Sequence, residues 1–129
     1  TGNDLELFPG CSLVFKCLND TETSDIVFND DLIARPLTVR SLISSDEIIL
    51  SEGRKQVSKL LKDWKIPAER RWMIPIIEDR KGIAAILGKT FGGSNRVAAR
   101  MKKRMNFDEI KNLIRVNVIY TGSYSEHAE

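Results

Sequence analysis

The sequence predicts an α+β domain, a small mixed β-sheet or sandwich with two or three helices packed on it. Short apolar runs at 12–17, 26–28, 37–42, 73–77, 83–87 and 114–120 have strand character, whereas the stretch from Gly53 to Trp64 has helical period. Their order is strand, strand, strand, helix, strand, strand, helix, strand, which suits helices packed on a sheet. A chain of 129 residues is expected to form a single domain with one modest core. With 42% apolar and 29% charged residues, neither a membrane protein nor a disordered chain is favoured. No apolar run approaches the roughly 20 residues that span a bilayer, and the N-terminus lacks a signal-peptide layout. The chain starts at Thr1 rather than methionine, so a segment of a longer protein is expected.

The elements follow from local chemistry. Pro9-Gly10 is a turn, and Ser12 to Cys17 is β-branched and aromatic enough for a strand. Asn19 to Asp25 is polar and predicts a loop, so residues 1–25 yield one strand and a loop. Ile26 to Phe28 form a second strand, closed by the turn formers Asn29, Asp30 and Asp31. A third strand follows Pro36, with Leu37 and Val39 facing one way and Thr38 and Arg40 the other. From Gly53 a helix is predicted, because Val57, Leu60, Leu61 and Trp64 make one apolar stripe. Lys55, Lys59 and Lys62 fall opposite that stripe, within a window of roughly 60°. Pro67 ends this helix and opens a turn over Ala68 to Arg71. Met73–Ile77 and Ile83–Leu87 form a hairpin of buried strands around Glu78 to Gly82. Residues 96–105 are a basic helical stretch, Asn106 and Glu109 a capping box for a helix to about Leu113, and Ile114–Tyr120 a last strand. Residues 121–129 are expected to be a disordered tail.

Net charge is only +2, but the signs are separated along the chain. Residues 1–52 carry 3 basic and 10 acidic side chains, residues 53–104 carry 15 and 4, and residues 105–129 carry 2 and 4. The middle block, at +11, suggests a polyanionic partner such as nucleic acid, the alternative being a merely solvated face. Its densest part, Gly53 to Arg71, holds Arg54, Lys55, Lys59, Lys62, Lys65, Arg70 and Arg71 against Asp63 and Glu69. These seven cations are the candidate phosphate contacts, with Arg40, Arg96, Arg100 and Lys103 as additional ones. Trp64 and Trp72 flank the basic turn; Trp64 belongs to the core stripe, and Trp72 is open to core packing or base stacking.

Other chemistry finds little support. Cys11 and Cys17 lack further sulfur ligands nearby and the only histidine is His127, so no metal site or Cys/His nucleophile pair is expected. Whether the two cysteines pair is open. The Gly92 to Asn95 stretch lacks the Lys-Ser/Thr pair of a P-loop and suits a turn. Asp30 with Asp31, and Asp46 with Glu47, are adjacent carboxylates that fit turns or strand edges better than an acid/base dyad, although a small hydrolase using them is a competing reading.

The order of residues adds a resemblance. Pro36-Leu37-Thr38-Val39-Arg40, then Gly53-Arg54-Lys55 leading into Val57 to Leu61, Lys65-Ile66-Pro67, Arg71, Pro75 and Gly88 resemble the C-terminal domain of tRNA(Ile)-lysidine synthetases. Phe28 to Leu32 is also similar to the family's run before Pro-Leu, and the resemblance covers residues 26–90. Two departures stand out. The family's Gly-Asp-Arg is Ser45-Asp46-Glu47 here, and Trp72 replaces the Asp that often follows the family's Arg.

The resemblance implies a layered α+β domain related to a module of the phenylalanyl-tRNA synthetase β-subunit, assisting tRNA recognition. It implies a cytoplasmic parent ligase that activates the wobble cytidine of isoleucine tRNA with ATP and Mg and attaches lysine, forming lysidine. That chemistry belongs to an N-terminal catalytic domain with a Ser-Gly-Gly-x-Asp-Ser loop, which does not occur in this chain. The fragment is therefore expected to be non-catalytic and to need no cofactor, with isoleucine tRNA and the catalytic domain of its own parent as partners. A homodimer is open, and a protein-interaction or oligomerisation module is the alternative.

Overall fold

The computed structural model describes residues 2–17, 26–102 and 113–121. Strands β1 (Gly2–Phe8), β2 (Cys11–Cys17), β3 (Ile26–Asn29) and β10 (Leu113–Tyr120) form one sheet in the order β1-β2-β10-β3. Strands β4 (Thr38–Arg40), β7 (Ile76–Asp79), β8 (Gly82–Leu87) and β9 (Asn95–Val97) form a second, in the order β4-β7-β8-β9. A ribbon of β5 (Glu47–Leu50) and β6 (Gly53–Gln56) leads into helix α1 (Val57–Asp63). A 3-10 helix over Ala68–Met73 and the short helix α2 (Ala99–Lys102) complete the elements that matter for the site. The class is α+β as predicted, and the pairings between described strands are antiparallel.

One apolar cluster joins the layers. Leu13, Phe28 and Val116 from the first sheet meet Ile76, Ile77 and Ala84 to Leu87 from the second, with Ile48, Val57, Leu61 and Met101 between. Strand β8 is buried at five consecutive positions from Ile83, so it is covered on both faces and reads as a continuous apolar run rather than an alternating one. Strand β5 does alternate: Ile48 and Leu50 are buried while Glu47 and Ile49 are exposed.

Three predicted elements are corrected, and two strands stand where none is predicted. Gly53 to Gln56 is a strand, and α1 begins at Val57; with no apolar residue in Gly-Arg-Lys-Gln, a strand has no alternation to show, and register with Glu47–Leu50 decides. Met73 ends the 3-10 helix and β7 starts at Ile76, giving a two-residue turn at Arg80-Lys81. Residues 95–97 pair with Ala85 to Leu87 as β9 rather than opening a helix, and α2 covers Ala99–Lys102 alone among the described residues. Gly2–Phe8 and Glu47–Leu50 are the two strands that the sequence does not predict. The capping box at Asn106, the loop at 19–25, Lys103 and the tail from 122 lie outside the described residues, while Thr121 is held by a bond from its N–H to the Gly10 carbonyl at 2.8 Å.

Two carboxylates tie the elements around the second sheet together. Asp46, 8% exposed, accepts both terminal nitrogens of Arg40 at 2.8 Å and the Ile43 N–H at 2.8 Å; Arg40 Nε also donates to Glu78 at 3.0 Å. Asp79, whose side chain is 0% exposed, accepts Arg100 at 2.7 and 2.9 Å together with the Ala34 and Lys81 N–H groups. Burial alone would push each carboxyl upward, but the guanidinium and backbone donors outweigh it, so both lie below the usual carboxylate range. The Arg40 guanidinium is correspondingly raised, first by its bond to Asp46 and then by Glu78.

Leu61 is fully buried and Leu60 only partly, so Leu61→Ala should cost about 2–5 kcal/mol in urea unfolding and Leu60→Ala clearly less. The two clamps predict an acid limb. Their folded pKa values lie below the unfolded one, so their stabilisation is present above about pH 4 and is lost as pH falls through the folded values. Asp79→Asn should flatten that limb and cost about 2–3 kcal/mol at pH 7, less than a fully buried pair because Arg100 is 31% exposed. Urea midpoints measured from about pH 7 to pH 3 check both statements.

Candidate nucleic-acid interface

The basic segment is held at both ends. At its start, Asp46 donates its own N–H to Ile43, and its carbonyl accepts the Val57 N–H at 3.0 Å. That bond satisfies an amide at the start of α1, where the cap residue Gln56 contributes no side-chain bond. The same residue therefore fixes Arg40 through its side chain and the helix start through its backbone.

At the far end α1 closes with a Schellman arrangement. The Ile66 N–H donates to the Leu61 carbonyl at 3.1 Å and the Lys65 N–H to Lys62 at 2.9 Å, with Lys65 left-handed at φ 62°. Glycine usually fills that position; a lysine there carries about 1 kcal/mol of backbone strain. Ile66 is buried at 2% and pins the exposed Lys65 against the core. Pro67 then starts the 3-10 helix, and Arg71 Nε returns to the Ile66 carbonyl at 3.0 Å. Trp64 packs partly buried, its indole over Gly88 and Gly93: a Cβ at Gly88 would lie 2.9 Å from its Cζ3. This accounts for both glycines by close approach and agrees with the core reading of Trp64.

The structure sorts the predicted cations. Lys55, Lys59, Lys62 and Lys65 are exposed, and among the described residues no carboxylate lies within ion-pair distance of them. Lys55 and Lys59, one on β6 and one on α1, line a common shallow depression of about 200 Å³ with Gln56, Leu60 and the carboxylates Glu52 and Asp63. Glu52 is held below the usual carboxylate range first by its bond from Arg96, with Lys55 contributing. Lys59 and Lys62 are three apart on α1 and share a face. Arg54, 67% exposed, meets Glu47 at 3.3 Å across the ribbon. Arg70 and Arg71 are half-buried within the 3-10 helix.

The additional candidates differ. Arg40 and Arg100 are the clamp residues already described, and Arg96 pairs with Glu52 at 2.8 Å. Lys103 lies outside the described residues. Sequence reading missed the clamps: Arg40 was grouped with surface cations, although an Asp six positions on, across a turn, was the available signal. It also missed Arg115, which is 2% exposed on β10 and engaged with a partner.

The competing chemistry resolves locally. Asp46 and Glu47 face different arginines, Arg40 and Arg54, rather than each other's proton. In the Gly92 to Asn95 turn the Gly93 N–H bonds back to Gly88 and Asn95 Oδ1 accepts the Lys89 N–H. Cys11 is a buried free thiol, pushed up by burial. Among the described residues no group of three or more metal-ligating side chains comes together, and no helix is long and apolar enough to cross a membrane.

No family model matches the chain. Curated relatives are tRNA(Ile)-lysidine synthases. That of Treponema denticola is 35% identical over 88 residues, covering 63% of this chain and 19% of the relative. That of Exiguobacterium sibiricum is 43% identical over 54 residues, covering 41% and 13%, and that of Clostridioides difficile is 31% identical over 85 residues, covering 64% and 18%. The chain thus spans less than a fifth of the length of these relatives. In fold it matches a crystal structure of a TILS C-terminal domain with a TM-score of 0.69, covering 94% of this chain and 92% of that one at 19% identity. The chain is thus similar in sequence to part of several tRNA(Ile)-lysidine synthases and shares the fold of a TILS C-terminal domain.

Proposed function

We propose that the chain is the tRNA-binding C-terminal domain of a lysidine-forming ligase, and that Arg54, Lys55, Lys59, Lys62, Lys65, Arg70 and Arg71 contact the phosphate backbone. The observation that carries this reading is the contrast among cations. Arginines at the clamps have buried carboxylates as partners, whereas four lysines on one continuous, well-anchored segment have none among the described residues. Unpaired, exposed ammonium groups gain affinity for a polyanion by releasing its counterions. Lys65 adds to this, because it places a charge where glycine would cost less. The exposed Arg54–Glu47 pair is weak enough for Arg54 to exchange Glu47 for a phosphate.

The parent's ATP- and Mg-dependent attachment of lysine to isoleucine tRNA, in the cytoplasm, belongs in this reading to the N-terminal catalytic domain. This chain supplies grip rather than chemistry. A second reading, a docking or oligomerisation module, draws on the exposed Leu5, Ile43, Ile49 and Ile119; a doubled mass in light scattering would favour it.

Binding of isoleucine tRNA and of a duplex DNA of similar charge, at about 50 and 200 mM salt, tests the proposal. With roughly five phosphate contacts, affinity should fall a few hundred-fold across that range, and tRNA should bind more tightly than DNA. Lys59→Glu with Lys62→Glu should weaken tRNA binding at least about tenfold and shallow the salt slope by about 2, with thermal stability unchanged. Unchanged affinity in that double variant would remove this face from the interface.

A further inference from the structure

Trp72 is half exposed, at 50%, directly after Arg70 and Arg71 in the 3-10 helix. Its ring is held in place. The indole meets Phe8 edge-on, with centroids 4.9 Å apart at 61°, and the Ser41 hydroxyl donates to the Trp72 carbonyl at 2.9 Å. Beside it lies an open groove of about 110 Å³, lined by Trp72, Phe8, Val39 and Pro75 on apolar sides and by Arg40 and Ser41 on the polar side.

The polar side has spare hydrogen-bonding capacity. Four of the five Arg40 N–H groups are engaged, by Glu78, twice by Asp46 and by the Ser41 carbonyl, which leaves one donor. The Ser41 hydroxyl donates its proton to Trp72 and keeps its lone pairs as acceptors. An aromatic face beside one fixed donor and one acceptor has the chemistry that recognises a nucleobase by stacking and by its edge.

We infer that the Trp72 groove takes a single unpaired base of the RNA whose backbone lies along Lys65, Arg70 and Arg71. The inference rests on the RNA-binding reading and goes beyond it. A base inside a duplex is already stacked on both faces and cannot cover Trp72, and the groove is too small for the end of a duplex, so the occupant is a single unpaired base. The favoured occupant is RNA rather than protein because three cations precede the ring along the same turn of chain. Trp72 stands where the family pattern often has Asp, so the site belongs to this chain's own sequence.

The test compares a blunt RNA stem-loop with the same stem-loop carrying a short unpaired 3′ extension, read by RNA anisotropy and tryptophan emission. The 129-residue chain should bind the tailed RNA roughly tenfold more tightly, with quenched emission. Trp72→Leu should erase that advantage and leave blunt-stem affinity unchanged, and Trp72→Phe, which keeps a ring, should retain part of it. Equal binding of both RNAs by the unmodified chain overturns the inference while leaving backbone binding intact. A tail advantage that survives Trp72→Leu also overturns it. Failure of both RNAs to bind removes the RNA-binding reading and this inference together.

Discussion

The structure depends most on what Asp46 does with its three polar parts. Its carboxylate holds Arg40 and the Ile43 N–H, its N–H bonds to Ile43, and its carbonyl accepts the Val57 amide that opens α1. One residue thereby ties β4, the turn before β5 and the helix start into a unit. The pair is largely withdrawn from water, so loss of either partner would leave a desolvated charge; this gives the local geometry one strongly preferred arrangement. Asp79 repeats the device on the other side, joining α2, the β7–β8 turn and the backbone at Ala34.

These clamps also decide which positive charges face solvent. Arginine suits a carboxylate bidentately and is used where the chain must be fixed. Lysine is a hydrated point charge on a flexible stem, and it populates the exposed β6–α1 segment. The division by residue type separates scaffold from surface more sharply than net charge does. It also explains why a chain at +2 can present a strongly basic face.

Much of the fold was legible in the sequence where burial is two-sided or strictly periodic. The β7–β8 hairpin, β2, β3, β10 and the stripe of α1 all declare themselves through apolar residues. Among the misread elements, β6 and β9 carry almost no apolar side chains, so their strand state comes from their partners, Ile48 with Lys55 and Ile86 with Arg96. Strand β5 goes unpredicted because the exposed Ile49 between Ile48 and Leu50 hides its alternation, and β1 goes unpredicted as well. The candidate site was half legible. Charge counting found Lys59, Lys62 and Lys65, but it could not tell them from Arg40 and Arg100, since pairing with a buried carboxylate is a tertiary fact. Trp72 was ambiguous for the same reason: one edge packs against Phe8 of β1 while half of the side chain stays exposed, a division set by elements that composition does not connect.

The central claim is that the β6–α1 segment and the 3-10 turn after it form the RNA-facing surface. Amide chemical-shift mapping of the isotopically labelled chain, titrated with isoleucine tRNA, tests it residue by residue. The account predicts that shifts concentrate at Lys55, Lys59, Lys62, Lys65 and Arg70 to Trp72, with Arg96 and Arg100 little changed. Shifts centred instead on α2 and β9, or on the exposed apolar residues Leu5 and Ile119, would contradict it.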